Sequence, residues 1–134
     1  MVCIYCGGPT CVANSREQKR QGHVWRRRAC KQCSAIFTTV ESADLSLSLS
    51  VTYPNSQIRP FSRDTLFMSL VRALGHRSDA IEAAGALAAT TIAHLLKTYP
   101  GASIEVAAIR SVTHNTLSRF DSVAAISYAA YHKA

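Results

Sequence analysis

The 134-residue chain has no apolar run approaching the roughly 18 residues needed to cross a bilayer. Its N-terminus has no charged start followed by an apolar stretch, which sets aside an export signal. Acidic residues are scarce: eight Asp and Glu stand against fifteen Lys and Arg, a formal net charge of +7. There is no pair of carboxylates placed for acid–base work, no nucleophile beside a base and no phosphate-cradling glycine loop, so nothing points to an enzyme. Internal repeats and low-complexity tracts are also absent, and with 48% apolar residues the chain is expected to fold. These absences lead to an expectation of an intracellular, cytoplasmic protein with no membrane partner. In that reducing setting, clustered cysteines hold metal more often than disulfides.

Cysteine is concentrated: all five lie between positions 3 and 33. Cys3-x-x-Cys6 and Cys30-x-x-Cys33 are two chelating knuckles, and zinc takes four thiolates in a tetrahedron from such a pair. Gly7 and Gly8 follow the first knuckle and permit the left-handed backbone it needs. The segment between the knuckles is long enough for β-strands to carry the second back to the first, the plan of a zinc ribbon. A thioredoxin-like centre would need a βαβ setting, which neither pair has. A disulfide scaffold would need export. Four cysteines complete the shell, so His23 is not required and no open position remains for catalysis by the metal. Cys11 is expected to be a small, partly buried residue outside the site.

Charge is concentrated in the same segment. Residues 1–41 hold seven basic side chains (Arg16, Lys19, Arg20, Arg26, Arg27, Arg28 and Lys31) against Glu17 and Glu41. Such a segment suits a polyanion, and the expected partner is double-stranded DNA, with Trp25 part of the same interface. In a strand, Arg26 and Arg28 face one way while Trp25 and Arg27 face the other. The first face would offer two guanidiniums to phosphates, the second an aromatic plane with a third cation. Cations near a Zn(Cys)4 centre also offset its net negative charge, a structural use for one or two arginines. The alternative function is a ribbon that docks onto RNA or another protein.

The composition changes near residues 41–45. "HVWRRRAC" (23–30) and "AIFTTVE" (35–41) read as strands. "LSLSLSV" (45–51) alternates strictly and reads as a half-buried strand, with "YPNSQIRP" (53–60) as a turn and short return. Four helices are expected to follow. The first is capped by Ser62 and ends at Gly75; the second starts at Ser78 and ends at Pro100-Gly101; the others cover 103–120 and 121–134. Gly85 in the second suggests close helix–helix contact. The last helix is apolar on more than one face, which fits self-association into a homo-oligomer. His76, His94, His114 and His132 share no spacing and carry no expected role.

The stretches "CIYCG", "NSR", "WRRRAC", "CSAIFTTVE", "RPFSRDTL" and "FDSVAAISYAAY" resemble, in order, NrdR, the bacterial repressor of ribonucleotide reductase genes. The resemblance implies an α+β protein: a rubredoxin-like zinc ribbon over residues 1–44, then an ATP-cone-like domain over 45–134, with a short β-hairpin and about four helices. It further implies a regulatory role for the cone, repression by binding promoter DNA and self-association, with ATP or dATP as the nucleotide a cone of this family would meet. At one place the chain departs from the family pattern. Tyr53 and Pro54 stand where paired lysines would meet nucleotide phosphates, and neither can neutralise a triphosphate. Arg59 and Arg63 are the remaining candidates for nucleotide contact. The expectation is a cone fold kept as an oligomerisation platform, its nucleotide sensing weakened or redirected.

Overall fold

The structure, a computed structural model, describes residues 1–20 and 22–132. The chain divides into two compact units, Met1–Ala43 and Asp44–Ala134.

The first unit is an antiparallel sheet of β1 (Thr10–Gln18), β2 (His23–Cys30) and β3 (Ile36–Ser42), with β2 in the centre. The strands expected at "HVWRRRAC" and "AIFTTVE" are β2 and β3. β1 gave no such signal, because after Thr10 all of its residues are exposed and no apolar alternation marks it. A register shift between Val12 and Asn14 makes a bulge in this edge strand. The unit's core is small: Cys3, Cys30 and Phe37 are buried, with Ala35 packed against them.

The second unit pairs three short strands, β4 (Ser50–Thr52), β5 (Ile58–Pro60) and β6 (Ser103–Glu105), with helices α1 (Leu45–Ser48), α2 (Arg63–Ala73), α3 (Ala80–Thr98), α4 (Val106–Phe120) and α5 (Ser122–Tyr131). β4 is central, antiparallel to β5 and parallel to β6. Val51 and Ile104 lie opposite each other on β4 and β6, and both are buried. Leu70, Leu74, Leu95 and Leu117 fill the helical core beside them.

Several local expectations are corrected. "LSLSLSV" is not one strand: residues 45–48 form α1, and only Ser50 and Val51 of the stretch enter β4. The physical reason lies in the spacing, since Leu45 and Leu49 are four apart and satisfy a helical turn as well as a strand. Asp44 decides the matter by capping the turn. Its carboxylate accepts the Ser46 amide at 2.9 Å and the Ser46 hydroxyl at 2.6 Å, and these bonds hold its pKa below the ordinary carboxylate value. Leu49 is then buried while Leu47 is left 88% exposed.

The helix expected over 103–120 gives its first three residues to β6. A three-residue strand held by a partner some fifty positions away has no local signature; the Ser50 amide donates to the Ala102 carbonyl at 2.8 Å. Ser78 does not cap α3. Asp79 occupies the N-cap position, but its carboxylate is taken by the Arg77 guanidinium at 2.8 and 2.9 Å. Gly85 marks no close approach, because a Cβ there would meet nothing within 4 Å. Ser62 caps α2 as expected, accepting the Thr65 amide at 3.1 Å. The last two residues of the helix expected over 121–134 lie outside the described residues.

Asp121 caps α5. Its carboxylate accepts the Ala124 amide at 3.0 Å, faces His76 at 3.0 Å and takes an Arg77 N–H at 3.3 Å. The amide above all, then His76 and Arg77, lower its pKa from 3.8 to about 2. Because the folded value lies below the unfolded one, this cap contributes fully above the ordinary carboxylate range. Its contribution fades as pH falls toward 2.

Candidate metal centre and nucleic-acid interface

The two knuckles are built alike. In the first, the Cys3 amide donates to the Gly8 carbonyl at 2.8 Å, and Gly7 takes a left-handed φ of 72°. In the second, the Cys30 amide donates to the Ala35 carbonyl at 2.9 Å, and Ser34 takes a left-handed φ of 58°. Each turn aims amides at its leading sulfur. Cys3 Sγ accepts from Tyr5 N at 3.5 Å, and Cys30 Sγ accepts from Gln32 N at 3.3 Å and Cys33 N at 3.4 Å. The glycines divide the work: Gly7 supplies the left-handed residue, whereas Gly8 supplies space. A Cβ on Gly8 would collide with Gln32 Oε1 and stand 2.9 Å from Gln32 Cβ on the opposite knuckle. Gly8→Val is therefore expected to push the knuckles apart and weaken zinc retention at least tenfold in a chelator competition, with the helical unit unchanged.

The four sulfurs lie within 4.8 Å of one another. Cys3 Sγ and Cys33 Sγ are 3.7 Å apart, and Cys6 Sγ and Cys30 Sγ 3.5 Å. A tetrahedron with Zn–S bonds of about 2.3 Å has edges of about 3.8 Å, so the donor set fits zinc. Cys3, Cys6, Cys30 and Cys33 would hold the ion, which supplies cross-linking charge and no reactive position. The bare thiols already show why a cation suits them. Amides of Cys33 and Gln32 lower the Cys30 pKa to about 6. At Cys6 the Gly8 amide also acts downward, but neighbouring Cys33 and Cys30 and burial outweigh it and raise the pKa to about 12. One thiolate forms readily and suppresses another, until a cation compensates them both.

Cys11 is exposed, contrary to the expected partial burial, because it sits on the edge strand; its Sγ lies 3.7 Å from the Ala29 carbonyl.

Register fixes which basic residues share a face. Opposite Arg26 stand Ser15 and Thr39; opposite Arg28, Val12 and Phe37; opposite Val24, Glu17 and Glu41. Opposite Trp25 stand Arg16 and Val40, and opposite Arg27, Asn14 and Thr38. The Arg26 guanidinium pairs with Glu41 at 3.0 Å, and Arg28 Nε donates to Thr39 Oγ1 at 3.1 Å. Among the described residues, no such bond is found on Arg16, Lys19, Arg20, Arg27 and Lys31; Trp25 among them is half-buried. The structure thus brings together Arg16, Trp25 and Arg27 on one face and turns Arg26 and Arg28 to the other. Glu41 and Thr39 were missed as partners of the arginines; the only signal for them was strand pairing, which needs the register.

The nucleotide candidates are placed in the second unit. The Arg59 guanidinium lies 5.5 Å from the Tyr53 ring centroid and donates to Gln57 Oε1 at 3.0 Å. Arg63 is exposed in the first turn of α2. Among the described residues, no helix is long and apolar enough to cross a membrane.

Two cysteine knuckles clasped over a three-stranded sheet, followed by a mixed sheet with helices, define a zinc-ribbon protein of the α+β class. Residues 1–41 match the family described as "Transcriptional repressor NrdR-like, N-terminal domain". Over 134 residues the chain is 31% identical to the transcriptional repressor NrdR of Leptothrix cholodnii, covering 99% of this chain and 90% of that protein. It is 33% identical over 134 residues to that of Neisseria meningitidis serogroup B, covering 99% of this chain and 86% of the relative. To that of Herpetosiphon aurantiacus it is 29% identical over 133 residues, covering 99% of this chain and 87% of the relative. The chain belongs to the family of the transcriptional repressor NrdR.

Proposed function

We propose that this chain is a bacterial transcriptional repressor that binds double-stranded operator DNA through its zinc ribbon and acts in the cytoplasm. The observation that carries the reading is the basic set on the metal-clipped unit of an NrdR-family chain: Arg16, Lys19, Arg20, Arg27 and Lys31, with Trp25 among them. The unit Met1–Ala43 is the DNA-binding domain and Asp44–Ala134 the assembly domain, a boundary one residue before the expected 44/45. The relatives are repressors by name, and phosphate neutralisation by these residues supplies the sequence-independent part of affinity. The test is a gel shift of zinc-loaded protein with promoter duplexes, single strands and RNA at one salt concentration. Preference for a duplex promoter fragment supports the reading; preference for RNA, or for neither, sinks it.

Homo-oligomerisation is part of the same proposal. Val123 and Ile126 on α5 are 56% and 72% exposed, although the helix already buries Ala124, Ala125 and Tyr128 on its core side. A second copy covering that outer stripe accounts for it, and light scattering of the full chain would show mass above one chain. Nucleotide sensing is weakened: Tyr53 occupies the place of a phosphate-binding lysine, and Arg59 is drawn onto its ring. Calorimetry is expected to give no micromolar binding of ATP or dATP to a site containing Arg59 and Arg63. Micromolar affinity would overturn this.

A further inference from the structure

We propose that the two faces of the ribbon sheet have separate tasks: Arg16, Trp25 and Arg27 meet the DNA backbone, while Arg26 and Arg28 are positioning residues that do not touch DNA. This rests on the duplex-DNA reading above and distributes its arginines.

The face of Arg26 and Arg28 also carries Glu17 and Glu41, so its two guanidiniums are matched by two carboxylates. The face of Trp25 and Arg27 carries Arg16 and no carboxylate among its paired residues. A polyanion approaching the first face meets glutamates; approaching the second, it meets only cations and neutral groups.

Engagement points the same way. Arg26 is paired with Glu41, and its Nε is buried with no partner, so moving the side chain onto a phosphate would break a formed ion pair. Arg28 is held by Thr39 and lies opposite buried Phe37. Phe37 packs with Cys3 and Cys30 and takes the Tyr5 ring edge-on at 6.3 Å, so this face is the one turned toward the zinc knuckles. Arg16 and Arg27 are exposed, and among the described residues neither has a carboxylate partner. Around them lie Asn14 and Thr38, which can donate to phosphate oxygens, and Ile36 and Val40, which are 55% and 58% exposed. Trp25, paired with Arg16 on one side and Val40 on the other, adds a half-buried aromatic side chain to this face.

The experiment uses full-length, zinc-loaded protein and a labelled promoter duplex, with affinity measured across a salt series. Each phosphate that is no longer neutralised should make the slope of log K against log salt shallower by about 0.9. Arg16→Ala with Arg27→Ala is expected to make it shallower by about 1.8 and to weaken low-salt binding by more than tenfold. Arg28→Gln and Glu41→Gln are expected to leave the slope unchanged. Glu41→Gln is the arm that keeps the fold: it frees Arg26, so a steeper slope would show that Arg26 can reach phosphate and would overturn the assignment. A shallower slope for Arg28→Gln with zinc content intact, or an unchanged one for the Arg16 and Arg27 pair, would overturn it too. Failure of the function itself looks different: the wild type would show no salt-dependent duplex binding, and the face assignment would fall with it.

Discussion

Removing zinc with a strong chelator is expected to unfold residues 1–43, abolish DNA binding and leave the helices of the second unit folded. Among its described residues the unit has only Cys3, Cys30 and Phe37 as its cluster of buried apolar side chains, and two of those three belong to the cysteine set that fits zinc. A chain segment of this length cannot supply enough hydrophobic burial alone. Zinc bound to four thiolates contributes about 10–16 kcal/mol in small metal-folded modules, far beyond what one buried phenylalanine provides. Without the ion, Cys6 and Cys30 revert to groups whose ionisation opposes each other, and nothing holds the knuckles together. The second unit has its own core, from Leu49 to Tyr128, which shares no residue with the first. Circular dichroism should therefore keep its helical signal after chelation, while amide resonances of β1, β2 and β3 collapse to unfolded positions. Cys30→Ser should do the same at ordinary zinc concentrations. Loss of the helical signal with the zinc, or a ribbon that stays folded without it, would contradict this account.

The cysteine cluster that fits zinc was legible because four like residues at chelating spacing leave one sensible chemistry. Helices α2 to α5 were legible to within a few residues, since their apolar stripes and the cap Ser62 are local, whereas α1 and the caps Asp44 and Asp121 were not read. What could not be read was everything that depends on pairing between distant segments. β6 is three residues long and exists only because β4 lies beside it. Leu45–Ser48 fits both periods, and the single cap at Asp44 decides between them. The arginine run showed the same limit at the site. Strand alternation separates the two faces, but it does not show that Glu41 and Thr39 from the neighbouring strand take up Arg26 and Arg28. Exposed charge and engaged charge look identical in one dimension. The same holds for Gly8, which reads with Gly7 as a residue for left-handed backbone and proves to be a point where the knuckles press against each other.

Leu70→Ala should strongly destabilise the second unit while sparing the metal. Leu70 lies on α2, which packs against both α3 and α5, and its side chain has no exposed surface. Truncation removes apolar burial and leaves a cavity that helices clamped on two sides cannot collapse, at a cost of about 2–5 kcal/mol. Set against a whole stability of roughly 5–15 kcal/mol for a domain, that is a large share. The melting temperature should fall by more than about 10 °C, judged from the several degrees expected per kcal/mol at this size. If α5 carries the oligomer interface, the variant should also dissociate at concentrations where the wild type stays assembled, because α2 supports the helix that presents that surface. Zinc content should be unchanged throughout, since Cys3, Cys6, Cys30 and Cys33 belong to the other unit. A control at Met68, on the same helix but 61% exposed, should change the melting temperature little when replaced by Ala. Equal destabilisation by the two variants would mean that α2 does not bury its Leu70 face between α3 and α5.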